Sequence, residues 1–465
     1  MVFIKENKIF SLLILIFFLI NTFQAIKINS NFNKFDNINN EQHQIIKGES
    51  LKYWQRAERS KFKIIEVVDH YRNAYLYPKF LLLVSKIFNF NFYEESGKIS
   101  LDNKFPLFFT QYLFYICSVI LIYNQCKKIL SKKINLILCF FLMFDPTINQ
   151  HHFIIFSESI FFSLLLIVTS LYFKIVLNHN SKKNYINFLL LGFLIGLLFI
   201  LRSVAIYYIL VFIFLIFFLG LRKYLISLII GYSLIILFIG LNNLYSNKIF
   251  KITPTQGGGD VLYGYLATDI YGYANNLSIQ EARNLFFKDK IEIFYEINKN
   301  KFKSNLNDLS LNDQMLINEY KKKEAIKIFT DYPFETIKIL IYHYSKSLLI
   351  HPYWVKNFFK ETYLGRSDYI ENNINLKYET ISRVFYSLFF YLIFFVGFFL
   401  SLKRIDKKIN LYIFFSAIYF FTVSGFVGNP RYTMPTYIFL IFYFSFGISY
   451  LYKYTLEFFN KKKTD

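Results

Sequence analysis

The sequence predicts an all-α polytopic membrane protein with about ten transmembrane helices and two long segments outside the membrane. Composition is the first observation: 55% of the 465 residues are hydrophobic and 21% are aromatic, an aromatic content well above that of soluble domains. Long runs of Phe, Leu, Ile and Tyr are the second. The third is a set of basic clusters in alternate gaps between these runs, which is the positive-inside pattern of membrane proteins.

The basic clusters determine the predicted sidedness of each loop. They lie at Lys5 and Lys8, Lys127–Lys133, Lys182–Lys183, Arg222–Lys223, Lys403–Lys408 and Lys461–Lys463. Ten spans place all of them, and both termini, in the cytoplasm. The net charge of +22 is therefore assigned to anionic lipid headgroups. No nucleic-acid partner is expected, since no zinc-finger, RNA-recognition or helix-turn-helix pattern is present.

The first apolar run is interpreted as an uncleaved span. Lys5 and Lys8 precede apolar residues 9–20, as in a secretory signal peptide. However, Phe23 stands where a cleavage site needs a small residue, and the run continues to Ile26. That length approaches what a spanning helix requires.

The remaining apolar runs complete a three-part chain. The ten spans are predicted at 9–26, 106–126, 134–149, 155–177, 186–201, 204–220, 224–245, 383–402, 409–427 and 433–452. The predicted parts are an N-terminal module with seven spans and an outer loop, an outer region, and a C-terminal module with three spans, at residues 1–245 (loop 27–104), 246–380 and 381–465. Runs 134–149 and 186–201 are shorter than the ~20 residues of a full span. Their outer ends are expected to stop below the membrane surface, at a cavity.

Both outer segments contain amphipathic stretches. In the first, Tyr75–Phe88 is predicted to lie in the membrane plane. In the second, TPTQGGGDVLYGY is predicted to be a loop, and Ser278 with Glu281 forms a capping box. Ser310 and Pro333 are predicted to open two further helices, the last running to about residue 350 as an interfacial helix. Neither segment shows a core of its own, so the two are expected to fold together over one cavity.

Cysteines and histidines suggest little chemistry. Cys117, Cys126 and Cys139 lie within or beside apolar runs and form no metal-binding pattern, so buried packing roles are predicted. His151 and His152 are predicted to be surface loop residues, with contact to substrate or metal as the alternative.

Several stretches, in order, resemble one enzyme superfamily. They are IIKGE (45–49), YLYPKFLLLVSKIF (75–88), DPTINQHHFIIFSESIFFSLLLI (145–167), GLLFILRSVAIYYIL (196–210), GGGDVLYGY (257–265) and GNPRYTMPTYIFLIF (428–442). Together they resemble the GT-C membrane glycosyltransferases, within which the chain is similar to the protein mannosyltransferase and aminoarabinose transferase group. The resemblance implies a sugar donor on a polyprenyl phosphate and a lipid, glycan or protein acceptor. It also implies an active site on the periplasmic face of a bacterial inner membrane.

The resemblance implies specific site residues. Asp36, in the first outer loop, matches the catalytic base, and Asp69 and Arg72 follow in the same loop. Asn37 stands where family members often carry a second acidic residue, so no cofactor is assigned and a divalent metal stays an alternative. The substrate-binding candidates on the spans are Glu158, Arg202, Arg431 and Tyr432.

The chemistry explains why these residue types are needed. A base takes the proton from the acceptor hydroxyl as it attacks the anomeric carbon. Arginines pair with the departing phosphate, and Arg202 and Arg431 lie on the outer side, against the charge rule.

Each candidate also has a structural interpretation. Asp36 and Asp69 are alternatively solvated or interfacial carboxylates, and Glu158 alternatively stabilises a helix N-terminus. A lipid-linked glycan polymerase or ligase is the alternative enzyme, and a flippase or transporter of such lipids is the non-enzymatic alternative.

Overall fold

The computed structural model describes residues 7–34, 76–91, 104–153, 155–178, 183–247, 250–253, 258–302, 311–348, 373–427 and 430–461. Within these ranges the chain is helical and contains no β-strand, which confirms the predicted fold class. The first eight helices are α1 (Lys8–Lys34), α2 (Leu76–Phe88), α3 (Phe105–Cys126), α4 (Lys132–Phe144), α5 (Glu158–Leu177), α6 (Asn184–Leu201), α7 (Tyr208–Phe218) and α8 (Leu225–Asn247). The middle region contains α9 (Thr268–Ala274), α10 (Ile279–Asn284), α11 (Lys290–Ile297), α12 (Leu311–Asp331) and α13 (Pro333–Leu348). The last three helices are α14 (Asn373–Arg404), α15 (Lys407–Gly425) and α16 (Pro430–Lys461).

All ten predicted apolar runs form helices, but two of these helices are short. Eight contain segments long and apolar enough to cross a membrane. Helix α4 has 13 residues and α7 has 11, so each is about 20 Å long or less against a hydrocarbon core of about 30 Å. The short length predicted for 134–149 is therefore confirmed. The short length predicted for 186–201 is wrong, because α6 spans 18 residues.

The bundle has two chemically distinct ends. The clusters at Lys127–Lys133, Arg222–Lys223 and Lys403–Lys408 lie where α4, α8 and α15 begin or where α3 and α14 end. We call this the basic end. The residues between α4 and α5 and those between α6 and α7 lie at the opposite end. Both short helices therefore stop or start at the end that lacks the basic clusters.

Glycines allow two helix pairs to approach closely. A Cβ atom added to Gly192 on α6 would meet backbone atoms of α8, and one added to Gly231 on α8 would meet backbone atoms of α6. The same relation joins α14 and α16 through Gly397 and Gly447. Backbone proximity at small residues is a main source of helix association in membranes, where lipid tails are as apolar as the side chains.

Tyrosine hydroxyls satisfy the backbone where the bundle is broken between α6 and α7. The Tyr419 hydroxyl donates to the carbonyl of Val204 (2.7 Å) and accepts from the amide of Tyr207 (3.0 Å). The Tyr232 hydroxyl donates to the carbonyl of Ile206 (2.6 Å). Irregular backbone at membrane depth is tolerated only where protein or water supplies such partners.

Within the predicted first outer segment, the structure describes residues 27–34, 76–91 and 104. The amphipathic helix predicted at 75–88 is present as α2 and packs on α3 and α6. The Tyr77 hydroxyl of α2 donates to Gln111 of α3 (2.8 Å). The cysteine prediction is confirmed for Cys126 and Cys139, which are buried, and is wrong for Cys117, which is exposed on the bundle surface.

The middle region has a core of its own, contrary to the prediction. Apolar side chains from two π-helices (Leu262–Ala267 and Leu285–Asp289) and from α9, α11 and α12 form it. They are Tyr263, Leu266, Ala267, Ile270, Phe286, Ile291, Ile317, Ala325 and Ile328. This core could not be recognised in the sequence because each short helix contributes only a few of the core residues. The capping box of Ser278 and Glu281 is confirmed, as is the helix opened by Pro333. The predicted loop is wrong from Gly258 onward, because Gly258–Val261 are helical; Ser310 lies outside the described residues.

Helix α13 attaches the middle region to the membrane helices. His343 bridges the Asp269 carboxylate (Nε2–Oδ2, 3.0 Å) and the carbonyl of Phe426 (Nδ1–O, 2.6 Å). The Ser347 hydroxyl donates to the carbonyl of Gly425 (3.1 Å). These contacts hold α13 against the turn between α15 and α16, at the end of the bundle opposite the basic clusters.

Candidate functional site

The predicted site residues divide into two groups. Asp36, Asp69 and Arg72 lie outside the described residues, as does the side chain of Arg431, whose backbone belongs to the first turn of α16. The other three candidates, Glu158, Arg202 and Tyr432, are described, and the fold brings them together.

Glu158 and Arg202 form an ion pair inside the bundle. Glu158 is the first residue of α5, and Arg202 follows the last residue of α6 in an extended conformation. Arg202 Nη1 lies 3.0 Å from Glu158 Oε1, and the two side chains are 10% and 0% exposed. A buried charge is tolerated only with a partner, so each residue explains the presence of the other.

Two aromatic rings extend this pair toward the last helix. The Arg202 guanidinium carbon lies 5.7 Å from the ring centroid of Tyr432 and 5.9 Å from that of Phe161. Guanidinium groups are attracted to aromatic faces at such distances. The start of α16 is therefore tied to the break between α6 and α7.

Asp145 is a buried carboxylate that the sequence interpretation missed. It follows α4 and is 3% exposed. The Tyr437 hydroxyl of α16 donates to its Oδ2 at 2.6 Å, and the amide of Thr147 donates to Oδ1 at 2.9 Å. The signal in the sequence was an Asp directly before a Pro, interpreted only as the end of a span.

The prediction that His151 and His152 lie on the surface is wrong. Both are buried, in a single turn of 3₁₀-helix between α4 and α5. His152 Nδ1 lies 2.7 Å from the Ser159 hydroxyl, and the His152 carbonyl accepts from Gln111 (2.9 Å). Burial lowers the pKa of His152 to about 3, with a smaller contribution from neighbouring His151. At neutral pH His152 is therefore an uncharged packing residue.

An apolar cavity of about 460 Å³ opens beside the first turns of α16. Its walls come from α14, α15 and α16 and from the last residues of α13. Thr433 and Tyr437 are among its lining residues, and aromatic and aliphatic side chains such as Phe395 and Leu440 form most of the rest. Tyr437 thus lines the cavity and also donates a hydrogen bond to the Asp145 carboxylate.

Metal-binding groups are not assembled within the described ranges. No three His, Cys, Asp or Glu side chains in those ranges are grouped closely enough to hold a metal ion.

Removing the charge of Arg202 alone should destabilise the protein more than removing the whole pair. Arg202→Met leaves the Glu158 carboxylate buried without its partner, which costs about 3–5 kcal/mol. Glu158→Leu combined with Arg202→Met removes both charges and should recover most of that loss. Thermal unfolding of the purified protein in detergent measures both effects.

The control removes a partly exposed pair. Lys290 and Glu324 lie 3.0 Å apart with side chains 22% and 21% exposed, so Lys290→Met should cost about 1 kcal/mol or less. Equal destabilisation by Arg202→Met and Lys290→Met would contradict a buried, mutually dependent pair.

Comparison with known proteins gives one family match and one structural likeness. Residues 92–245 match the family model described as dolichyl-phosphate-mannose-protein mannosyltransferase. The archaeal oligosaccharyltransferase AglB from Archaeoglobus fulgidus, solved with an inhibitory peptide and a dolichol-phosphate, superimposes with a TM-score of 0.48 at 11% identity. That alignment covers 97% of this chain and 52% of AglB, so the chain spans about half of its length. No curated protein matches the sequence.

The family match covers the part of the bundle that contains the buried ion pair. Residues 92–245 include α3 to α7, most of α8, and both Glu158 and Arg202. Over residues 92–245 the predicted resemblance to the protein mannosyltransferase group is confirmed. The chain as a whole has the helices of a multi-pass membrane protein.

Proposed function

We propose that this protein transfers a sugar from a polyprenyl-phosphate donor to a lipid, glycan or protein acceptor at the outer face of the bacterial inner membrane. The start of α16 is the observation on which the proposal rests. Tyr432 contacts Arg202 of the Arg202–Glu158 pair, while Thr433, the next residue, and Tyr437, one turn later, line the apolar cavity. A charged region and a lipid-sized apolar space therefore meet at one helix end.

The cavity suits the hydrocarbon part of a lipid-linked donor. Its lining is dominated by aromatic and aliphatic side chains, and an isoprenoid chain gains free energy by filling such a space through apolar contact and dispersion. Exposed residues of the lining, including Leu388, Phe395 and Ile418, lie on the surface of the bundle. A donor can therefore enter from the surrounding lipid.

The phosphate of the donor is assigned to the N-terminus of α16. Pro430 and Arg431 occupy its first turn, where the amide groups and the helix dipole favour an anion. Arg431 is the proposed phosphate-binding arginine. Arg202 is already compensated by Glu158, so the proposal gives it the role of holding Tyr432 and the start of α16 in place.

Asp36 is the proposed general base. It removes the proton of the acceptor hydroxyl while the acceptor oxygen bonds to the anomeric carbon. The bond between that carbon and the phosphate oxygen breaks, and polyprenyl phosphate leaves with the negative charge. A single displacement of this kind inverts the anomeric centre. Asp69 and Arg72 are proposed to bind substrate in the same outer segment.

The proposed sidedness rests on the two ends of the bundle. The basic end belongs in the cytoplasm by the positive-inside rule. The Glu158–Arg202 pair, Asp145 and the start of α16 lie at the opposite end, together with α13. This arrangement supports an outer active site with both termini in the cytoplasm.

Filling the cavity should weaken donor binding selectively. Ala417 lines the cavity and is 7% exposed, so Ala417→Trp places an indole where the lipid tail is proposed to lie. We expect the donor KM to rise roughly tenfold or more with kcat largely retained, the pattern of lost ground-state binding. Steady-state transfer assays with a synthetic polyprenyl-phosphate sugar measure both constants.

The control for this variant adds the same side chain elsewhere. Ile226 of α8 is 70% exposed and lies outside the cavity lining, so Ile226→Trp should leave KM unchanged. An unchanged KM in Ala417→Trp would place the lipid tail elsewhere.

Replacing Asp36 should abolish chemistry but retain binding. Asp36→Asn should lower kcat by about 10²–10⁴, the usual contribution of a general base, while donor binding stays within a few-fold. The adjacent Asn37→Gln variant is the matched control and should retain activity. Single-turnover transfer and equilibrium donor binding are the measurements.

The outcome also separates the alternatives. Full turnover in Asp36→Asn with loss in Asp69→Asn would transfer the role of base to Asp69. Retained lipid translocation in both variants, without any glycosidic product, would support a flippase or transporter instead.

A further inference from the structure

A second cavity, of about 390 Å³, lies at the basic end of the bundle. It is formed where α4 begins, where α14 ends and along the last turns of α16. None of its lining residues belongs to the apolar cavity or to the Glu158–Arg202 region. The proposed transfer reaction therefore leaves this cavity without a role.

Cationic side chains dominate the charge of this cavity. Lys133, Arg404 and Lys453 line it, against one carboxylate, that of Glu457. Lys453 and Glu457 lie 3.5 Å apart as an exposed i,i+4 pair, and such pairs are weak. Within the described part of the chain, Lys133 and Arg404 form no ion pair. Two positive charges are thus left facing the cavity.

Further polar groups favour an anion at the same place. Ser131 caps the N-terminus of α4 by accepting the amide of Ile134 (3.4 Å), and it also lines the cavity. The helix dipole adds a partial positive charge at this N-terminus. Lys133 lies 5.6 Å from the ring centroid of Tyr452, and Ser449 and Tyr450 also line the cavity.

One wall of the cavity is apolar. Ile134, Leu400 and Phe446 line its inner part, one from each of the three helices. The neighbouring surface of α14 exposes Phe399 (63%) and Leu402 (55%), as expected of a face in contact with acyl chains. A ligand that fits has an anionic head and a hydrocarbon part directly beside it. A free phosphate ion would leave the apolar wall and most of the volume unused, since one water corresponds to about 30 Å³.

We propose that this cavity binds the phosphodiester headgroup of an anionic phospholipid from the inner leaflet, with Lys133 and Arg404 as the residues that contact the phosphate. Basic pockets between transmembrane helices on the cytoplasmic side are suited to such headgroups. The lipid joins the start of α4 to the ends of α14 and α16, and so connects the N-terminal and C-terminal parts of the bundle. It is a structural lipid, distinct from the donor.

Lipid titration followed by native mass spectrometry tests the proposal. The full-length protein in detergent is titrated with dioleoylphosphatidylglycerol and, separately, with dioleoylphosphatidylcholine. Lys133→Gln with Arg404→Gln should weaken phosphatidylglycerol binding roughly fivefold per charge removed, about 25-fold together, as expected for juxtamembrane basic residues. Phosphatidylcholine binding should not change. The charge-preserving pair Lys133→Arg with Arg404→Lys should retain most of the phosphatidylglycerol affinity.

A matched variant at the same end separates a built site from diffuse charge. Arg222→Gln with Lys223→Gln also removes two charges at the basic end, outside the cavity. It should leave phosphatidylglycerol binding within twofold. Equal loss in both double variants, or no loss in either, would overturn the proposal. Displacement of the lipid by inorganic phosphate at equal concentration would also overturn it in favour of an ion site. If the double variant fails to fold, Lys133→Gln and Arg404→Gln made singly should each weaken phosphatidylglycerol binding roughly fivefold, and the charge-preserving pair remains their control.

Discussion

Two helices of this bundle are too short to cross a membrane, and the peptide groups that follow or precede them must be satisfied inside the protein. Unpaired amides and carbonyls in hydrocarbon each cost several kcal/mol. The bundle meets this requirement with tyrosine hydroxyls and amide side chains from neighbouring helices. Tyr419 alone serves a carbonyl and an amide of the 203–207 turn, and Tyr115 donates to the carbonyl of Leu142 near the end of α4 (2.7 Å). The breaks are therefore built into the packing of their surroundings.

The same breaks bring charge into the bundle. Arg202 stands at the break after α6, and Asp145 stands at the end of α4. Each is matched by a partner on a different helix, Glu158 for the arginine and Tyr437 for the carboxylate. Shortened helices thus create polar positions at one end of a bundle that is otherwise apolar. This is also the end at which α13 attaches the middle region.

The sequence was sufficient for the parts of the fold that depend on local pattern. Apolar runs predicted all ten apolar helices, and Ser278 and Pro333 predicted two helix starts, because hydropathy and capping are local properties.

The pairing of Glu158 with Arg202 required a contact across 44 residues, so only the residue types were predictable. The burial of three polar residues, Asp145, His151 and His152, was not predicted. In sequence, a polar residue in a solvent-exposed loop looks the same as one buried between two helix ends. The middle-region core escaped because its members come from several short helices, none with a long apolar face. Of the two short helices, only α4 was predicted to be short. Helix α6 begins two residues earlier than its predicted run, and α7 is shorter than its predicted run at both ends.

Helix α16 makes two side-chain contacts from positions five residues apart. Tyr432 lies against the Arg202 guanidinium, and Tyr437 donates a hydrogen bond to Asp145. Because an α-helix has 3.6 residues per turn, these two side chains leave the helix axis in directions about 140° apart. The two contacts therefore hold α16 from two sides and fix its rotation about its own axis. A rotation of α16 about its own axis withdraws both at once. Close backbone contact with α14 at Gly397 and Gly447 opposes sliding along the axis as well. The wall of the apolar cavity that α16 contributes is therefore fixed against both rotation and sliding.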